Sequence, residues 1–105
     1  MIYEVRFSKR AQADLISIHD YIAQKSDESI ALGYFERIRD YCLALSRFPA
    51  RGRSWDYVFK GVRTIGFERR VSIAFRIKEQ TVTIVRVLYG GRDVEGNLKK
   101  GRAKK

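Results

Sequence analysis

Six arginines fall on or beside the strand-like runs of the C-terminal half: Arg63, Arg69, Arg70, Arg76, Arg86 and Arg92. Each carries a permanent charge on a planar fork that suits a phosphate or a carboxylate. Their ordinary alternative is to pair with Glu68, Glu79 and Asp93 or to sit on a solvated face. A second basic group, Arg51 and Arg53, is interleaved with Trp55 and Tyr57. Such a mixture can hold phosphates and stack on bases, but in a chain this small the two aromatics are better used to fold back and cap the core. Tyr89 ends the last apolar run. A phenol is a poor general base.

Other chemistries are excluded by residue type. One histidine and one cysteine cannot build a structural zinc site. No phosphate-loop or dinucleotide glycine motif is present. His19 lies off the apolar stripe of its helix and reads as an exposed histidine. Cys42 lies on a core stripe with no histidine nearby and reads as a small buried hydrophobe. No cofactor and no metal is expected. The net charge of +10 over 105 residues points to a polyanionic partner without saying which one. A single cysteine suits a reducing cytoplasm. Neither a secretory signal nor an apolar run of membrane-spanning length is found, so no membrane partner is expected.

The elements that must position these residues follow from periodicity. Ile2 to Phe7 alternates as a short strand. Ser8 is a candidate N-cap for a helix to about Gln24, with Ala11, Leu15, Ile18 and Ile22 as its stripe. After a break at 25–27, where Ser26 or Asp27 could cap, Ala31, Phe35, Ile38, Cys42 and Leu45 mark a second helix that ends before Pro49. Leu15, Ile18, Ile22, Phe35, Ile38 and Leu45 are the expected core. Residues 49–57 read as a loop. Val62–Phe67, Val71–Ile77 and Thr81–Tyr89 read as three antiparallel strands, the third a candidate for the central one because it is apolar on both faces near Val85 and Val87. Arg76 opposes Val71, Ile73, Phe75 and Ile77 and should point away from their core. The expected fold is α+β: an N-terminal strand, an αα-hairpin, then a three-stranded meander, with the helices on one sheet face. Residues 1–95 form one domain. Residues 96–105, with five basic side chains and no acidic one, read as a flexible tail.

These residues also form an ordered set of short motifs. The first helix reads F-S-x-x-A-x-x-D-L-x-x-I-x-x-Y-I-A from Phe7 to Ala23. L-x-x-F-P-x-x-G-R runs from Leu45 to Arg53, and G-x-R from Gly61 to Arg63. R-x-x-I-x-F-R-I follows from Arg70 to Ile77, and I-x-R-V-L-x-G-x-R-D closes from Ile84 to Asp93. The set resembles the ParE branch of the RelE/ParE toxin superfamily over about residues 2–94. The resemblance implies a sheet packed on an αα-hairpin, a ParD-like antitoxin in a hetero-oligomeric complex, DNA contact through that complex, and DNA gyrase as target. Under this reading Arg63, Arg76, Arg86, Arg92 and Tyr89 are the target-binding residues. RelE-like relatives instead cut mRNA on the ribosome, for which Arg63, Arg76 and Tyr89 would be the catalytic set here. That set is short of a good base, and lysines near the strands are limited to Lys60 and Lys78, so a non-enzymatic gyrase inhibitor is favoured. A nucleic-acid-binding module or an inactive toxin is the third class, suggested by the basic residues Lys99 to Lys105.

Overall fold

The computed structural model describes residues 2–90 and 94–103, and side chains as far as Leu98. Strand β1 (Glu4–Phe7) leads into α1 (Lys9–Lys25) and α2 (Glu28–Leu43), which ends in a 3-10 turn at Ala44–Ser46. Strands β2 (Arg53–Ser54), β3 (Val62–Phe67), β4 (Val71–Lys78) and β5 (Thr81–Tyr89) follow, then α3 (Val94–Ala103). The sheet order is β1-β5-β4-β3-β2. β1 runs parallel to β5 and the other neighbours are antiparallel. β4 is thus the central strand rather than β5, which is inner but one place removed.

Local chemistry explains the helix starts. The Ser8 hydroxyl accepts from the Ala11 amide at 3.0 Å and donates to the Val85 carbonyl at 2.9 Å. One side chain therefore caps α1 and ties it to β5. Asp27 caps α2 by accepting from the Ile30 amide at 2.8 Å. The helices bury Ala11, Leu15, Ile18, Tyr34, Ile38, Cys42 and Leu45 against Ile65, Ile73, Phe75, Val82, Ile84 and Val87. Each fully buried aliphatic side chain contributes about 1.5–3 kcal/mol. Ile22 and Phe35, expected in the core, are half-buried at its margin. Burial raises the Cys42 thiol to about 12, so it stays protonated and unreactive.

His19 clasps the helical hairpin. Nε2 lies 2.8 Å from a Glu28 carboxylate oxygen and Nδ1 lies 3.0 Å from Asp20. Hydrogen bonds to Asp20 and then Glu28 raise its pKa above 6.5. A raised folded-state pKa adds stability that is complete below the unfolded value near 6.5 and is lost as pH rises through the folded value. Thermal melts from about pH 5 to pH 8 should therefore show a decline in Tm that the His19→Gln protein lacks. Parallel profiles for the two proteins would rule the clasp out.

The opposite sheet face is also covered. Trp55, Phe59, Val62, Ala74 and Leu98 form a second cluster, with Val58, Val85 and Val94 packed against it. Ala74 lies between Ile73 and Phe75 of the first core, so alternation places the two clusters on opposite faces. The segment 96–105, expected as a flexible tail, is helical to Ala103. Leu98 is the physical reason: four residues after Val94, it puts a second apolar side chain on the same helix face. β2 was not expected either. Its two residues pair with Arg63 and Thr64 and turn part of the 49–57 loop into a sheet edge.

Gly52 makes that edge possible. Its φ is +84°, and a Cβ there would run into the Thr64 carbonyl oxygen and Ile65 Cγ2. Left-handed strain and backbone overlap together make Gly52→Ala cost about 2–5 kcal/mol. Urea unfolding should show a lowered midpoint, and an unchanged midpoint would contradict the close approach.

A basic cavity on the sheet face opposite the helical hairpin

One residue out of register shapes the site. Phe75 pairs with Ile84, but Ala74 pairs with Arg86, so Val85 is an extra residue in β5. Such a bulge re-aims the side chains that follow it. It places Val85 in the second cluster and Arg86 beside Ala74, while Val87 returns to the core under the helices.

Among the described residues Arg86 is the one buried charged side chain, only 6 % exposed. Its Nε and Nη2 donate to the two oxygens of Asp14 at 2.8 and 3.1 Å. Asp14 also accepts the Val87 amide at 2.8 Å. The carboxylate thus joins α1 to the part of β5 that lies beyond the end of β1. The remaining nitrogen, Nη1, is buried and has no hydrogen-bond partner among the described residues. Arg86 therefore corrects the expectation of a target-facing residue: it is withdrawn from solvent and spent on Asp14. Sequence reasoning missed Asp14, although the signal was present. It lies three residues after Ala11 and four before Ile18, on the apolar stripe, where a carboxylate needs a buried partner.

Arg86 forms part of the wall of a cavity of about 560 Å³. The apolar part is Phe59, Val62, Val85 and Leu98, and the charged part adds Arg10, Lys60 and Arg76. Among the described residues these last three are exposed and make no hydrogen bond or ion pair. Asp56, the carboxylate on the rim, accepts from the Gly61 amide at 2.7 Å. An apolar floor ringed by unpaired cations is suited to an anionic group with a flat or aliphatic body. The sequence does not single out Arg10, and marks Lys60 only as a lysine near a strand end, because only the fold brings the start of α1 and the 55–60 loop beside β4.

The other candidates are dispersed. Arg76 points to this face, as its parity predicted. Arg63 is paired with Phe75 and Arg76 with Val62, so the two arginines lie on opposite faces. Arg63 is half-buried, with Nη1 3.5 Å from the Arg51 carbonyl. Tyr89 pairs with Val71, five residues along β4 from Arg76, or roughly 16 Å. Its ring packs on Tyr21 and Tyr34 under the helices. The set Arg63, Arg76 and Tyr89 does not converge. Arg92 lies outside the described residues.

Trp55 caps the second cluster, as expected for a small domain, and donates from Nε1 to Thr64 Oγ1 at 2.9 Å. Tyr57 is exposed but stacks on Trp55 at 15°, and the Arg53 guanidinium lies 4.2 Å from the indole. The aromatic patch is thus largely satisfied by itself. Among the described residues no helix is long and apolar enough to cross a membrane, and no cluster of metal-ligating side chains occurs.

Comparison with known proteins fixes the family. The model for the ParE toxin of type II toxin–antitoxin systems, parDE, matches residues 5–94. The chain belongs to the ParE toxin family. The matched region runs from β1 to the start of α3 and contains Asp14, Arg76 and Arg86. Among solved structures, this ParE-family chain is similar to one from a chromosomal ParDE toxin–antitoxin system of P. aeruginosa. The TM-score is 0.74 at 26% identity, over 85% of this chain and 97% of that one. The toxin–antitoxin complex RelBE2 from Mycobacterium tuberculosis shares the fold, with a TM-score of 0.66 at 23% identity over 88% and 95%. None of the curated protein sequences is a significant match.

Proposed function

We propose that this ParE-family chain is a cytoplasmic toxin that inhibits DNA gyrase and is neutralised by a ParD-like antitoxin, the complex contacting operator DNA through the antitoxin. The observation that carries the reading is the family match over residues 5–94. The similar P. aeruginosa chain comes from a ParDE system, which supports a ParD-like partner. Arg76, with Arg10 and Lys60 beside it, is the target-facing group. Arg86 acts by holding the cavity wall rather than by reaching out.

Inhibition without covalent chemistry by the toxin fits this geometry better than RNA cleavage. Cleavage at a 2′-hydroxyl needs a base, an acid and a cation within reach of one phosphate. Arg63 on β3 and Arg76 on β4 face opposite sides of the sheet, and Tyr89 is paired five residues along β4 from Arg76.

Induction of the chain in a bacterial host, with and without a ParD-like antitoxin, tests the reading. Growth arrest with a DNA-damage response, relieved by the antitoxin, is the expected result. Arrest with ribosome-dependent mRNA cleavage and no DNA damage would replace it with the RelE-like reading.

A further inference from the structure

The cavity beside Arg76 has the dimensions of a small-molecule site. Its volume of about 560 Å³ lies in the range that takes one compact ligand. Its apolar wall is Phe59, Val62, Val85 and Leu98. All four are packed into the second cluster, so the wall is in place before a ligand arrives.

The polar groups around the cavity divide into spent and unspent. Ser8 Oγ is used twice, by the Ala11 amide and the Val85 carbonyl. Arg86 is held by Asp14 and its remaining nitrogen is sealed from solvent, so no ligand touches it. Arg10, Lys60 and Arg76 are exposed and unpaired among the described residues. Asp56 is exposed on the same rim. Its Oδ1 accepts from the Gly61 amide, while its Oδ2 makes no hydrogen bond or ion pair among the described residues.

The unspent groups define a ligand. Three exposed cations around one cavity match a phosphate. A carboxylate oxygen on the same rim matches a donor carried by the same molecule, such as a hydroxyl. An anion with a purely aliphatic body has no such donor. The wall offers faces rather than hydrogen-bonding edges, which suits a flat ring. Phosphate, hydroxyl-bearing sugar and flat ring occur together in a nucleotide.

We propose that the cavity binds a free 5′-mononucleotide, with its phosphate on Arg10, Lys60 and Arg76, a ribose hydroxyl donating to Asp56 Oδ2, and its base against Phe59 and Leu98. Binding is a property of the chain alone and does not depend on gyrase being the target.

The full chain, isotope-labelled for NMR, is titrated with AMP, adenosine, hexyl phosphate and an unphosphorylated octamer of deoxyadenosine. AMP should bind with a Kd of about 0.1–1 mM and shift the amides of Lys60, Val62, Arg76, Val85 and Leu98. Adenosine and hexyl phosphate each lack half of the match and should bind at least about tenfold more weakly. Arg76→Gln and Lys60→Gln should each weaken AMP about fivefold without altering Tm, whereas Arg63→Gln, on the opposite face, should leave affinity unchanged. Asp56→Asn keeps an oxygen for the Gly61 amide and replaces Oδ2 with a donor. It should weaken AMP about threefold and leave 2′,3′-dideoxy-AMP unaffected.

Five results would overturn the proposal: no AMP binding up to about 10 mM, adenosine or hexyl phosphate equal to AMP, shifts away from the cavity, unchanged affinity in both Arg76→Gln and Lys60→Gln, or an Asp56→Asn effect shared by the dideoxy nucleotide. So would an octamer that displaces AMP at equal nucleotide concentration, since the face would then follow a nucleic-acid backbone rather than hold one nucleotide.

Discussion

Asp14→Ala should be the most destabilising single change outside the hydrophobic core, at about 3–5 kcal/mol. The carboxylate holds two nitrogens of Arg86 and one backbone amide of β5. Its removal leaves a guanidinium that is 93 % buried with no counter-charge, since the Arg86 side chain is 7 % exposed. It also frees the Val87 amide where β1 no longer covers the edge of β5. A domain of this size has total stability of only about 5–15 kcal/mol, so the variant should unfold at much lower urea and lose toxicity through loss of fold. The double variant Asp14→Leu with Arg86→Met should recover most of the stability, because an apolar pair of similar volume carries no uncompensated charge. A single variant as stable as the parent would mean that the pair is not the joint between α1 and β5.

The second large effect is on activity. Arg76→Glu should weaken target inhibition at least about 10- to 100-fold, equivalent to roughly 1.5–3 kcal/mol, while stability changes by no more than about 0.5 kcal/mol. Arg76 is exposed and makes no hydrogen bond or ion pair among the described residues, so folding does not depend on it. It also stands beside Arg10 and Lys60, and reversing its charge puts a carboxylate among the cations that would meet an anion. Antitoxin binding and melting measured on the same preparation separate loss of target contact from loss of fold. A folded Arg76→Glu protein with full potency would remove this face from the mechanism.

Much of this was legible in the residues. Ser8 and Asp27 announce their helices because a short polar side chain before an apolar stripe has one good use. Val62–Phe67 and Thr81–Tyr89 are β-branched runs bounded by Gly61, by the turn at Glu68–Arg69, and by Gly90, and both strands have those limits. What was not legible depends on tertiary geometry. The Val85 bulge reverses the alternation of β5, so neither the face of Arg86 nor its bond to Asp14 follows from counting by two. β2 is only two residues long and exists through pairing with β3, against which Gly52 lets the chain close. α3 looked like a basic tail because its net charge outweighs two apolar residues, Val94 and Leu98, that find a partner only on the folded sheet. The arginines read as one cluster in sequence because spacing along strands carries no information about pairing across them.

The most direct test is a supercoiling assay with purified gyrase, ATP and relaxed plasmid, run with the parent chain, Arg76→Glu and a ParD-like antitoxin. The account predicts loss of supercoiling with protein-linked DNA breaks for the parent, rescue by antitoxin, and little effect from Arg76→Glu. Gyrase that supercoils normally with the folded parent chain in excess would contradict it.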